Sequence, residues 1–146
     1  MPPHNPYATP NAAIGTLEEG VSDEAIDALD VSDTWKARFK AIHHAGGVKL
    51  DKLKQLEPKE RRKAFSFNVY GFFFGPIYYA IKGMWKKGLS LLLACAVVVI
   101  GLGMGLDYFG YSKIANALGY GVSAVFAVRA NIDFYKKKVL GDNGWW

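Results

Sequence analysis

The chain has one cysteine in 146 residues, so no intrachain disulfide can brace it and no cysteine pair can hold a metal. Cys95 lies inside the run LLLACAVVVI, where a thiol reads as a small apolar packing residue. His43 and His44 are adjacent; on a helix they point about 100° apart, and no Cys or carboxylate cluster completes a site, so no metal is expected. No Ser-His-Asp order, paired-carboxylate setting, Walker loop or dinucleotide fingerprint occurs, so neither an enzyme nor a cofactor is expected. The N-terminal stretch MPPHNPYATPNAAIG has no basic n-region and no apolar h-region, and insertion into a membrane would be directed by internal segments.

Basic residues are missing from the first 34 positions, whose only charges are Glu18, Glu19, Asp23, Glu24, Asp27, Asp30 and Asp33. All 18 Lys and Arg follow, against six acids, and they cluster beside apolar segments. No recognition helix, aromatic RNA-binding pattern or zinc finger accompanies them, so nucleic acid is not the expected partner. Cations placed this way reflect membrane orientation and anionic headgroups.

Apolar residues are as unevenly spread. Residues 1–64 are polar and charged, whereas 65–135 hold nearly all the long apolar runs. The sequence therefore predicts a soluble arm joined to a membrane domain. Residues 1–17, with Pro2, Pro3, Pro6 and Pro10, read as a disordered tail. Residues 18–64 read as a cytoplasmic helical arm. A short helix starts after Ser22 and ends by Asp30. A better one runs from Asp33 or Thr34 to Ala45, with Ser32 or Asp33 as cap, Gly46-Gly47 as stop, and Trp35, Phe39 and Ile42 on one face. That basic amphipathic helix can rest against protein or headgroups. A third short helix is expected at Leu50–Leu56, and Pro58 suits the first turn of a fourth.

Residues 65–140 read as the membrane domain, with 141–146 as a tail. Gly88–Leu106 offers 19 uncharged residues, enough to cross hydrocarbon. Phe109–Val128 reaches 20 if Lys113 snorkels. Asp107–Ser112 then closes an antiparallel hairpin. The segment Phe65–Met84 is also apolar but is interrupted by Gly75-Pro76. If it crossed as well, Lys82, Lys86 and Lys87 would face away from Lys59–Lys63. If residues 65–87 lie in the interface or form a re-entrant turn, every strong basic cluster, including Arg129 and Lys136–Lys138, falls on one side. The expected fold is an all-α membrane protein: a two-span antiparallel transmembrane hairpin, preceded by a kinked interfacial or re-entrant helix and a short cytoplasmic helical arm, with both termini cytoplasmic.

Candidate contacts follow from this topology. Pro76 lacks an amide hydrogen and Gly75 relaxes the backbone, so a kink forms there, and Asn68 could partner backbone groups released at it. Asn116, Asn131, Arg129 and Asp133 are polar in or beside apolar helices; Arg129 and Asp133, at i and i+4, could pair with each other. Gly71/Gly75, Gly101/Gly105 and Gly119/Ser123/Ala127 form small-residue faces, favouring packing within the hairpin and leaving homo-oligomerisation open. Trp85, Tyr78, Tyr79, Tyr108, Tyr111, Tyr135, Trp145 and Trp146 stand where interfacial aromatic belts are expected. Lys82, Lys86 and Lys87 face membrane lipids, and Trp35 and Phe39 on the arm are candidate protein contacts.

DTWKARF at 33–39, AGG at 45–47, FNVYGFFFGPIYYAIKGMWKKG at 67–88 and RANIDFYKKKV at 129–139 together resemble a family of small bacterial inner-membrane proteins built around a domain of unknown function. The resemblance covers roughly residues 33–139, and its FFFGP-to-KGMWKKG core is the distinctive part. The acidic stretch and the closing Gly-Trp-Trp have no counterpart in the family pattern. The resemblance implies a multi-pass protein of the bacterial inner (cytoplasmic) membrane and supplies no activity. Three functions fit: a membrane-tethered interaction or regulatory module working through the arm, a subunit of an oligomeric channel or transporter, and a lipid-interacting protein of the inner leaflet. The first is favoured, because two spans with one central polar residue, Asn116, offer no ion pathway within one chain.

Overall fold

The computed structural model describes residues 19–146, apart from the side chain of Asn116, and all its regular elements among them are helical. The expected tail at 1–17 lies outside the described residues, as does the side chain of Asn116. The described chain divides into two compact units, one ending at Ala64 and including Lys138–Gly141, the other formed by Phe65–Lys137 and Asp142–Trp146.

The first unit holds α1 (Asp23–Asp27), α2 (Asp33–His44) and α3 (Pro58–Ala64). Ser22 caps α1, its hydroxyl accepting the Ala25 amide at 3.2 Å, with Asp23 and Glu24 at the positive end of the helix dipole. Ser32 takes the N-cap position of α2 without a side-chain bond, and Gly46, at φ 97°, follows its end. The expected third helix is instead two single 3-10 turns, Gly47–Lys49 and Leu53–Gln55. Leu50 has φ 53°, a conformation that interrupts any continuous helix. Ile26, Phe39, Ala41, Ile42, Ala45, Ala64 and Leu140 are the unit's buried apolar side chains among the described residues. Lys40 and Asp27 pair at 2.7 Å on its surface, and the hydrogen bond to Asp27 holds the lysine above its usual range.

The second unit is built from α4 (Val69–Ile81), α5 (Trp85–Tyr108) and α6 (Ser112–Lys138). Asn68 caps α4. The helix breaks at Gly75, whose φ 39° and ψ −115° lie outside the helical region, because Pro76 can neither donate to the preceding turn nor tolerate its carbonyl. The end of α4 is a Schellman stop: the Gly83 amide reaches the Ala80 carbonyl at 2.9 Å, and the Met84 amide reaches that of Tyr79 at 2.7 Å. Buried Met84 then serves as N-cap of α5. The same pattern ends α5, with Gly110 bonded to Asp107 at 3.0 Å and Tyr111 to Leu106 at 2.7 Å.

Both long helices exceed the expected spans. The K-G-M-W-K-K linker is a corner after which Trp85, Lys86 and Lys87 already form the first turn of α5, since nothing after Gly83 opposes helix. α6 runs ten residues past Val128 because no Gly or Pro intervenes before Gly141. They run antiparallel: Ala94–Leu102 and Leu118–Val125 face each other across an apolar groove of about 320 Å³. Among the described residues one helix, α5, is long and apolar enough to cross a membrane, with mean hydropathy 2.5 and only 6% of its most apolar stretch buried. Lys113 and Arg129 bound a stretch of α6 only 15 residues long.

Packing among these helices concentrates at the end of the hairpin that carries Lys87 and Arg129. A β-carbon at Gly71 would sit 3.1 Å from the Phe126 carbonyl and 3.2 Å from the Ala130 side chain, and one at Gly88 would sit 2.7 Å from the Tyr79 side chain. Gly101, Gly103, Gly105 and Gly119 would meet nothing within 4 Å. Of the small-residue faces expected to pack within the chain, the one carrying Gly71 does so, joined by Gly88, whereas the glycines of the Gly101/Gly105 and Gly119 faces are open. Gly71→Leu should lower stability in detergent by about 1–3 kcal/mol through overpacking, whereas Gly101→Leu should leave the thermal midpoint within a degree or two of the parent. Thermal unfolding followed by circular dichroism distinguishes them.

Candidate functional site

Two polar clusters occupy the packed end of the second unit. The first surrounds Asn68. Its side-chain oxygen accepts the Gly71 amide at 2.9 Å, while its nitrogen donates to Asn131 Oδ1 at 2.9 Å and to the Tyr78 hydroxyl at 3.1 Å. Asn131 in turn donates to the Ser66 carbonyl and hydroxyl at 2.7 and 2.9 Å. The Asn68 amide bonds to the Ala127 carbonyl at 3.2 Å. Asn68 thus joins α4 to α6 from the cap position, seven residues before the Gly75 break whose backbone groups it was expected to partner. A cap needs the side chain beside the first turn of its own helix, and that geometry faces it away from the break.

The second cluster is ionic. Lys87, 2% exposed, donates to Asp142 Oδ2 at 3.0 Å and to the main-chain oxygen of Trp146 at 2.9 Å. Lys136 reaches the same two oxygens at 3.4 and 2.9 Å. Ser90 donates to the Trp145 carbonyl. Partial burial pushes the Asp142 carboxyl up, but the Gly144 amide, the Lys87 ammonium and the Lys136 charge outweigh it and hold the group below the usual carboxylate range. Alongside, the Tyr79 hydroxyl donates to buried Asp133 at 2.8 Å. The other carboxylate oxygen of Asp133 lies 3.5 Å from Arg129, an ion-pair contact without hydrogen-bond alignment. Burial, with the Asp133 charge beside it, raises the Tyr79 phenol above its usual range, so it remains a donor. Trp146 covers Arg129 at 4.7 Å, and Trp145 meets Trp85 edge to face at 5.6 Å.

Residues 142–146, within the tail expected at 141–146, strap this cluster, because they bring the oxygens that two buried lysines need. Sequence reasoning missed Asp142, Ser90 and Lys136 as partners; the available signal was an acid six residues past a lysine in an otherwise basic helix end. Of the expected aromatic belt, Tyr78, Tyr79 and Tyr135 are buried, while Trp85, Tyr108, Tyr111, Trp145 and Trp146 are exposed. Lys82 lies 4.8 Å over the Phe134 ring, its carbonyl accepting from Lys137 at 2.7 Å. Lys86 lies 6.0 Å over Trp85. Gly75 sits beside the Phe126 ring with Pro76 next in sequence.

In the first unit Trp35 is half-buried and Phe39 wholly buried, their rings 5.5 Å apart. Phe39 therefore offers no surface to a partner, because its side chain fills the unit's core. His44 bridges Asp23 at 3.1 Å and Glu60 at 3.3 Å. Among the described residues no group of three His, Cys, Asp or Glu could hold a metal ion.

Asn68→Ala should cost about 2–3 kcal/mol, from the lost cap and the stranded Asn131 side-chain oxygen. Asn131→Ala added to it should cost less than its separate effect, a coupling that a double-mutant cycle reads directly. Asp142 provides a pH dependence. Because the folded carboxyl is more acidic than the unfolded one, its stabilisation is complete above about pH 5 and fades as pH falls through the folded value. A carboxyl-carbon NMR titration of Asp142 should give a midpoint below about 3.9, which Lys87→Gln shifts upward.

Comparison with known proteins adds a family and no activity. The chain is similar to the protein named "Uncharacterized protein YigF" of Salmonella typhimurium strain LT2, 33% identical over 123 residues, covering 79% of this chain and 90% of the relative. It is also similar to the protein of that name from Escherichia coli K12, 31% identical over 133 residues, covering 86% and 98%. No solved structure matches. With the model for "Protein of unknown function (DUF2628)" matching residues 28–139, this chain belongs to that family of uncharacterised proteins.

Proposed function

We propose that the chain is a small multi-pass protein of the bacterial inner membrane, in which the α5–α6 hairpin anchors a cytoplasmic helical arm that engages or regulates a protein partner at the membrane. The observation that carries the membrane half of this reading is the apolar surface of the second unit. Val97, Val98, Ile100, Leu102 and Met104 on α5, and Phe73, Phe74, Ile77 and Ile81 on α4, are all exposed. A water-soluble monomer rarely leaves so much contiguous apolar area bare.

The distribution of contacts supports a shallow α4. Its 13 residues amount to about 20 Å of helix, short of the roughly 30 Å hydrocarbon thickness. The α6 residues that meet it, from Phe126 to Asp133, lie close to the basic end. An irregular Gly75 is tolerated there because Phe126 lies beside it. α6 joins the hairpin by placing Lys113 and Arg129 at opposite ends of its apolar stretch, each able to reach a headgroup layer. The arm is read as the interacting part because it carries its own buried core and a mixed charged surface, including the Asp23–His44–Glu60 bridge.

Cysteine labelling in a Cys95→Ser background tests the topology. Lys59→Cys and Lys86→Cys should react only from the cytoplasmic side and Tyr111→Cys only from the other; labelling of positions 59 and 86 from opposite faces would refute the interfacial placement of α4. A photo-crosslinking residue at Trp35 should capture one defined protein in intact cells, and capture unchanged when residues 19–64 are scrambled would count against the arm as the contact. Phe39 is unsuitable for that test, because its truncation opens the core.

A further inference from the structure

The ionic cluster under the C-terminal segment has the donor set of an anion site. Two ammonium groups, Lys87 and Lys136, share the same two oxygens, Asp142 Oδ2 and the main-chain oxygen of Trp146, all four contacts falling between 2.9 and 3.4 Å. Ser90 takes a third oxygen, from Trp145. Two cations bridged by a pair of oxygens, with a hydroxyl on a third, is how a phosphate group is held. Both lysines are almost wholly buried, so they are fixed in place rather than waving at solvent. Lys87 also stands in the first turn of α5, at the positive end of its dipole, while Lys136 comes from the last turn of α6. Without residues 142–146 the site would set Lys87, Lys136 and Arg129 against Asp133 alone.

The segment that fills the site is weakly held elsewhere. Asp142–Trp146 forms no helix, Trp145 and Trp146 are 53% and 60% exposed, and beyond the site the segment is anchored by the Asp142 amide on the Lys136 carbonyl and by ring contacts with Trp85 and Arg129. We propose that Lys87, Lys136, Ser90 and Arg129 form a binding site for a phosphate ester, and that Asp142–Trp146 is a displaceable strap that occupies it with three of its own oxygens. Lifting the strap exposes the Arg129 guanidinium as a fourth donor group. The inference goes beyond the proposed function and does not require the arm to have a partner.

The full chain in detergent is the test material, with phosphatidic acid (native mass spectrometry) and glycerol 3-phosphate (calorimetry) as probes and phosphatidylcholine as the uncharged reference. The variant Asp142→Asn/Trp145→Ala/Trp146→Ala should bind phosphatidic acid about tenfold more tightly than the parent, the size expected for uncovering one charge-assisted hydrogen bond. Adding Lys87→Gln to that variant should remove the gain, and adding Arg61→Gln should not. A gain with both probes assigns the site to phosphate esters at large; a gain with the lipid alone assigns it to headgroups. Because the strap variant gains affinity, a folding defect cannot imitate the result. Equal affinity in parent and strap variant overturns the proposal, and so does a gain that survives Lys87→Gln in a protein whose helical circular dichroism is intact.

Discussion

Two helices can approach closely only where one of them has no side chain in the way, and in the second unit that place is Gly71 against Phe126, Ala127 and Ala130. Dispersion contacts weaken steeply with separation, so every other contact between α4 and α6 depends on this one being short. It brings Asn68 within reach of Asn131 and the Ala127 carbonyl, and it seats the Phe126 ring 5.4 Å from Tyr79. Tyr79 in turn packs over Gly88 and donates to Asp133. The chain of contacts runs from a missing β-carbon to a buried carboxylate.

That arrangement separates the unit into two ends of different chemistry. Around Gly71 and Gly88 the helices enclose amides, hydroxyls and charges, and buried polar groups of this kind persist only when partnered. Towards Gly110 the surfaces of α5 and α6 are apolar, bare and grooved. A polar, tightly packed end and an apolar, open end suit a boundary between headgroups and hydrocarbon. The strap of Asp142–Trp146 belongs to the polar end, where it neutralises lysines that could not otherwise remain buried.

Much of the local structure was legible in the residues themselves. Ser22 as a cap, Gly46 as a stop, Pro58 at a helix start and Gly75-Pro76 as a break all follow from backbone chemistry within a few residues, and each is found. Helix lengths were less legible. The expected spans ended where polarity rose, whereas α5 and α6 end where glycine permits a left-handed turn or the helix signal runs out. Polarity governs what surrounds a helix, while capping governs where it stops.

By itself, the sequence determined an all-helical chain with a charged first part, an apolar second part and a broken aromatic helix between basic clusters, because composition, periodicity and Gly or Pro placement act over one or two turns. Only the tertiary structure decided which small residues are contacts and which are bare, that Phe39 and Tyr79 are core rather than surface, and that Lys87 meets Asp142 across 55 positions of chain. Those outcomes depend on which faces of three helices turn toward one another, and that is set by the sum of many weak contacts at large sequence separation.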